Sequence, residues 1–391
     1  MLANARRPTP DALRLIVTLA SVSFAALGVC MILPGALLPL LVDKFHMRLV
    51  EAGSMMALQP IGYLLAVACA SRVIAALGMR RALRGGFFTT AAGYAGFGLA
   101  ASWAAGSAMM FVAGVGIGTV EVAANALIVR AAGDRSAGLL NFAHLFFGIG
   151  SVVTPAIATQ VVALGGTVTQ TFLVTAAVTA AVAVGWSLLN EDAASDGSGD
   201  GEGEGLHRRF IVLCAAMLAV YVGTEMGIGN WLTKYLVSAR GVDLTTAGRA
   251  LSLYWLGLTI GRLGLSFLSH RFTQQRLLFG LTLFAATFAW AALLAPSVRL
   301  EIAGFTLLGL GFSGIFPGII SLGGRFHPHN TAQATSIMIG GAGLGGIVIP
   351  WVMSGVADAI SLPAGMAFYA SMCFVMIALA VALQRSMPQE V

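Results

Sequence analysis

Gly148-Ile149-Gly150-Ser151-Val152-Val153-Thr154-Pro155 and Gly343-Leu344-Gly345-Gly346-Ile347-Val348-Ile349-Pro350 lie 195 residues apart and repeat one spacing, Gly-x-Gly-x4-Pro, inside two long apolar runs. The same offset carries Gly28 onto Gly223, Gly53 onto Gly248, Gly62 onto Gly257, Gly85 onto Gly280, Gly114 onto Gly309 and Gly116 onto Gly311. Eight of the 21 glycines before residue 190 meet a glycine in this way. Chance matching at this glycine content gives about three. Arg130 meets Arg325 as well. A single unbroken offset marks a duplicated unit. Glycine is the residue it preserves because helices in lipid associate by close backbone approach.

Composition names the solvent of that unit. The chain has 391 residues, 58% of them hydrophobic and only 10% charged. Soluble domains carry about a quarter charged residues, so most of this chain must face lipid. Apolar runs predict spans at 13–42, 50–76, 85–103, 107–130, 137–164, 167–189, 210–238, 247–269, 277–295, 300–322, 332–358 and 363–384. The expected fold is an all-α polytopic membrane protein, with twelve transmembrane helices in two pseudo-symmetric six-helix bundles. Domain boundaries follow at 1–189 and 208–391. Between them the Gly, Ser and acid tract of 190–207 has no apolar anchor and reads as a disordered cytoplasmic linker.

With the N-terminus cytoplasmic, fifteen basic residues fall on the cytoplasmic side: Arg6, Arg7, Arg14, Arg72, Arg80, Arg81, Arg84, Arg130, Arg135, Arg208, Arg209, Arg271, Arg276, Arg325 and Arg385. Six fall opposite: Lys44, Arg48, Lys234, Arg240, Arg249 and Arg299. This asymmetry predicts a multi-pass protein of the cytoplasmic (inner) membrane with both termini cytoplasmic. The N-terminal run has no cleavage site after a short core, so it reads as a first span and not a signal peptide. The basic residues form no single stripe, which excludes nucleic acid as a main partner.

Metal and cofactor chemistry find no support. Cys30, Cys69, Cys214 and Cys373 are scattered through apolar runs. His327 and His329 lack further ligands, and Asp196-x-Ser198-x-Asp200-Gly201 has His207 where a calcium loop needs a bidentate Glu. Gly341-x-Gly343-x-x-Gly346 spells a dinucleotide fingerprint inside a span with no preceding strand, and is read as helix packing. No catalytic constellation is present, so the chain is not read as an enzyme.

Ionisable groups at bilayer depth are costly and therefore functional candidates. Gly114, Gly118, Glu121 and Asn125 share one helical stripe, which predicts a cavity-lining carboxylate able to load and release a proton. The alternative is a structural, hydrogen-bonded Glu. Glu225, a second candidate proton-coupling acid, lies in Tyr221-Val222-Gly223-Thr224-Glu225-Met226-Gly227-Ile228-Gly229-Asn230-Trp231, read as a helix interrupted by glycines, with a matching interruption at Pro34-Gly35. Asn230 beside Trp231 suits a sugar ring, although Trp231 also suits an interfacial belt. Asn141 and His144 form a further patch, His144 being either a proton relay to Glu121 or a neutral packing residue. Gln59, Tyr63 and Tyr254 are expected to line the cavity. Arg262 is read as a structural ion-pair or gate residue, and Asp134 with Arg80 or Arg81 as a cytoplasmic gate.

Gly114 through Asn125, Leu140-Asn141, and Tyr221 through Trp231 with Gly261-Arg262 resemble the fucose and glucose cation symporters of the major facilitator superfamily. The resemblance implies transport by alternating access, with Glu121 in the place of the fourth-helix acid implicated in proton coupling and sugar binding. It also implies an Asp four residues before the Pro of helix one, where this chain has Gly35 before Pro39; His144 and Phe147 replace a Gln and an Asn. The loop between helices two and three, running from Ser71 to Arg81, has lost the acid of the family pattern. The expected function is uptake of a small polar solute such as a monosaccharide with a coupling cation, a proton ahead of sodium. Proton-driven efflux of amphiphilic compounds is the alternative. Lipid is the surrounding partner, and a two-half fold needs no second copy, which predicts a monomer.

Overall fold

The computed structural model describes residues 9–132, 136–188, 208–268, 272–326 and 331–386. These are almost entirely helical, as backbone in lipid must satisfy its own hydrogen bonds. The first repeat comprises α1 (Pro10–Ala36), α2 (Leu38–Phe45), α3 (Leu49–Leu77), α4 (Met79–Leu99), α5 (Trp103–Ala132), α6 (Ser136–Ala163) and α7 (Val168–Gly185). The second comprises α8 (Arg208–Arg240), α9 (Leu244–Leu268), α10 (Gln274–Leu293), α11 (Val298–Phe312), α12 (Ile315–Arg325), α13 (Thr331–Ala359) and α14 (Leu362–Ser386). Among the described residues, ten helical stretches are long and apolar enough to cross a membrane. Neither α4 nor α9 is one of them. Arg80, Arg81 and Arg84 crowd the start of α4, and Arg249 and Arg262 interrupt the apolar run of α9.

Three helix boundaries differ from the sequence reading. The interruption expected in the first span at Pro34-Gly35 falls instead at Leu37, where two helices meet. The tenth is also two, broken at Ser313-Gly314, where Pro317 has no N–H for the Ser313 carbonyl. By contrast α8 runs unbroken through Gly223, Gly227 and Gly229, so the expected interruption there is not found. Its glycines serve packing. A methyl at Gly223 would strike the Gly345 carbonyl, one at Gly227 the Tyr369 ring, and one at Gly229 the Trp255 ring.

The duplication is visible in the packing itself. Where α3 crosses α5, Gly62 lies on the Phe111 carbonyl and Gly114 on the Gln59 carbonyl. Where α9 crosses α11, Gly257 lies on the Thr306 carbonyl and Gly309 on the Tyr254 carbonyl. Both contacts of one crossing, and all four residues that make them, map onto the other at the offset of 195, so the two crossings are the same joint built twice.

Contacts divide the chain into two units. One holds Met1–Met31, Leu58–Thr154 and Gly165–Ser198; the other holds Ile32–Ala57, Pro155–Leu164 and Gly199–Val391. Residues 32–57 and 155–164 of the first repeat thus pack with helices of the second. Ser252 Oγ accepts the Ala156 N–H at 3.1 Å, beside Pro155 within α6. The linker at 190–207, the loop residues His327 and His329, and Asp134 lie outside the described residues.

Candidate functional site

In the first unit, α5 reaches its acid by way of glycine. Gly114 lies against the Gln59 carbonyl and the Tyr63 N–H, and Gly118 against the Tyr63 carbonyl and Ala66. Any side chain at either position would push α5 off α3. With the backbones this close, the next turn of α5 places the half-buried Glu121 carboxylate beside the Tyr63 hydroxyl. Asn125, one turn further, has a buried side-chain oxygen with no hydrogen-bond partner. An unpaired acceptor at bilayer depth is costly, and a donor from a solute would relieve it.

Behind this pair runs a neutral chain of hydrogen bonds. Gln59 donates through Nε2 to the Tyr94 hydroxyl at 3.0 Å, and that hydroxyl donates to the Cys30 carbonyl. Pro34, four residues beyond Cys30, cannot supply the N–H that a helix carbonyl expects. Tyr94 fills the gap. Gln59, expected to line the cavity, is therefore occupied in holding the tyrosine that covers this carbonyl of α1.

Asn141 and His144 sit on α6 and are both exposed. His144 Nδ1 lies 2.9 Å from the Leu140 carbonyl of its own helix, and its ring packs on Phe24 with centroids 4.2 Å apart. These contacts suit a packing imidazole.

The second unit holds a different constellation. Glu225, only 6% exposed, lies 3.7 Å from Arg262 Nη2 and beside the Tyr221 hydroxyl. Two residues expected in different roles, proton site and gate, are thus brought together as an ion pair. Tyr254 does not present its hydroxyl to a cavity; it donates to the Glu225 backbone carbonyl at 2.9 Å. Trp231 is completely buried, which removes the interfacial-belt reading, and its indole N–H has no hydrogen-bond partner. The Asn230 backbone lies against Gly35.

Two polar groups escaped the sequence reading. Glu301, 1% exposed, accepts from the Tyr235 hydroxyl at 2.6 Å and from Arg240 Nε at 2.7 Å. Its partners lie 61 and 66 residues away in the chain, so no local spacing announces them. Asp358 pairs with Arg48 and accepts the Leu49 N–H at 3.2 Å, a contact 310 residues long in sequence. Of the proposed cytoplasmic gate, Arg80 and Arg81 open α4, while Asp134 falls outside the described residues.

Glu121, Glu225 and Glu301 therefore differ in kind. Glu225 and Glu301 each have a guanidinium, whereas among the described residues no basic side chain pairs with Glu121. A paired carboxylate keeps its charge at low cost. An unpaired one beside a neutral hydroxyl is stable in lipid when protonated and can ionise when water reaches it.

The profile of the Major Facilitator Superfamily matches residues 19–294 and 213–390. The chain is 22% identical over 388 residues to the glucose/mannose transporter GlcP of Bacillus subtilis, covering 94% of each chain. Among solved structures it is similar to the xylose transporter XylE of E. coli, with a TM-score of 0.75, 13% identity and 96% of each chain covered. The E. coli fucose:proton symporter FucP aligns with a TM-score of 0.64 and 21% identity, over 95% of this chain and 99% of that one.

Proposed function

Because this chain belongs to the Major Facilitator Superfamily, we propose that it is a secondary transporter of the cytoplasmic membrane that takes up a monosaccharide together with a proton. In this reading all twelve expected spans cross the bilayer, both termini are cytoplasmic, and the repeats reorient about the solute by alternating access. The sugar class is supported by the named activity of GlcP and by those of the fucose and xylose carriers. These are distant relatives, so the residues of this chain must carry the coupling argument.

The observation that carries it is the cation-free Glu121 beside Tyr63, one turn from the unpaired Asn125 oxygen. A carrier that moves a proton needs an acid whose two protonation states are close in energy, and a fixed guanidinium would hold it permanently charged. Glu121 has no such guanidinium among the described residues, whereas Glu225 has Arg262 beside it. Asn125 would accept from a sugar hydroxyl, so solute and proton occupy adjacent turns of one helix. Protonation of Glu121 then removes a charge at the moment the solute supplies a donor.

Uptake of labelled glucose and mannose into vesicles with an imposed inward proton gradient tests the reading. The gradient should stimulate uptake. Glu121→Gln should abolish that stimulation yet leave solute exchange between the two sides intact, because exchange needs no net proton movement. Stimulation that survives Glu121→Gln overturns the assignment.

A further inference from the structure

Within the second unit, residues 32–57 of the first repeat are seated on α8 and α13, and the seat has both a fastening and a fit. The fastening is Asp358, at the last turn of α13. Its carboxylate pairs with the Arg48 guanidinium and also accepts the Leu49 N–H at the first residue of α3. An anion there satisfies a free N–H at the positive end of the helix dipole. The fit is glycine. A methyl at Gly53 would strike the Ser354 hydroxyl, and one at Gly35 would strike the Asn230 Cα and the Gly229 carbonyl. Beside them Trp351 Nε1 donates to Ser54 Oγ at 3.3 Å, and Trp231 approaches Gly53.

The repeat supplies an internal control. The offset of 195 carries Arg48 onto Asp243, and Asp243 caps α9 from within its own loop by accepting the Thr246 N–H at 2.9 Å. So α9 brings its own capping carboxylate, whereas α3, at the equivalent place, draws one from the far end of the other repeat. A self-contained cap survives any rearrangement; a borrowed one exists only while the two surfaces touch. The Glu51 carboxylate accepts the Arg48 N–H at 2.8 Å, so α3 keeps part of its cap when Asp358 leaves.

We propose that Asp358, with Arg48 and the Leu49 N–H, is the detachable latch of a gate whose closed face is the junction of Gly35 and Gly53 with α8 and α13. The proposal rests on the transporter reading for its purpose, since a carrier must open this junction once per cycle. On the proposed orientation the latch faces outward. Asp358 is a positioning residue that touches no solute and acts by holding α3 against α13. The ion pair is partly exposed, with the Arg48 side chain 71% and that of Asp358 16% accessible, so the latch is weak enough to be released thermally.

The test is accessibility, which needs no solute. Ala57 lies one turn beyond Gly53 on the same face of α3 and is 9% exposed. In whole cells, Ala57→Cys should react slowly with a membrane-impermeant maleimide, against a control of the full chain with its native cysteines alone. Adding Asp358→Asn should speed the reaction about threefold to tenfold, the size expected from losing one exposed ion pair and one helix-terminal anion. Arg48→Gln, which leaves the Leu49 cap in place, should give about half that acceleration on a logarithmic scale, and Asp358→Glu should restore slow labelling. An unchanged rate in Asp358→Asn overturns the latch. Should that variant not reach the membrane, Arg48→Gln decides by the same two outcomes. If labelling responds while no sugar is carried, the gate stands and the sugar-symport reading falls; if gradient-driven uptake persists while labelling is unresponsive, the symport reading stands and the gate falls.

Discussion

The α3–α5 crossing of the first repeat and the α9–α11 crossing of the second share their glycines and almost nothing else that matters chemically. Gly62 and Gly114 map onto Gly257 and Gly309 with the same carbonyl contacts. The polar residues do not follow. Tyr63 maps onto Leu258, Glu121 onto Phe316 and Asn125 onto Ile320, while Glu225 and Arg262 map back onto Cys30 and Val67. Duplication has kept what holds helices together in lipid and released what faces them. The lone acid and the paired acid are two outcomes on one scaffold.

The sharpest way to break this comparison is to neutralise both acids. Glu121→Gln should bring gradient-driven uptake to background, whereas Glu225→Gln should lower it only in part. The Glu225–Arg262 pair, with Arg262 41% exposed at 3.7 Å, contributes at most about 1 kcal/mol. Equal losses of uptake in the same vesicle assay would mean that both repeats carry the proton.

The scaffold half of the comparison predicts equality instead. Gly114→Leu and Gly309→Leu each force a side chain into a backbone contact and should each cost about 1–3 kcal/mol. Thermal unfolding of the detergent-purified variants reads this as two similar drops in Tm. A neutral result at either glycine would show that its crossing tolerates separation.

Tyr94→Phe and Tyr254→Phe refine the picture. Each removes a hydroxyl from a helix carbonyl, worth about 1–2 kcal/mol when buried. The loss should be larger at Tyr94, because the Cys30 carbonyl faces Pro34 and has no helical donor, whereas the Glu225 carbonyl can still reach the Gly229 N–H. The same Tm measurement separates the two.

The smallest effect belongs to Asp243. Hydrogen bonds from the Thr246 side chain and backbone hold its carboxyl below the usual carboxylate range. A depressed folded value means that this stabilisation is present above the unfolded value near pH 4 and is lost as pH falls through the lower, folded one. At neutral pH Asp243→Ala should cost about 0.5–1 kcal/mol, and Asn should replace most of it. The gap between Asp243→Ala and the parent protein should close on acidification, as read by Tm at successive pH values.

Fold and repeat were legible because both rest on composition and spacing, which survive without neighbours. Glycines that pack against a carbonyl recur wherever the joint recurs, so the offset carried three-dimensional information. The α8 break was misread for a related reason: Gly223, Gly227 and Gly229 look like punctuation when taken alone and become contact points once α13, α14 and Trp255 are present. Pro34 offered a signal that went unused, since a proline within a span frees the carbonyl four residues back and some donor must find it. Arg48 with Asp358 and Arg240 with Glu301 had no such signal. Their partners are distant in sequence and meet only through tertiary packing.

The three arginines that open α4 bear on how the protein is made. A helix that begins Met79-Arg80-Arg81-Ala82-Leu83-Arg84 and then carries five glycines and two threonines before Leu99 partitions poorly into lipid on its own. It packs along its length on α5 and α7, which leave the ribosome later. Nascent α4 should therefore wait at the translocon until α5 has emerged and enter the bilayer as a hairpin with it. The second repeat defers a different helix, α9, so the two halves of one duplicated fold are expected to reach the membrane by unlike routes.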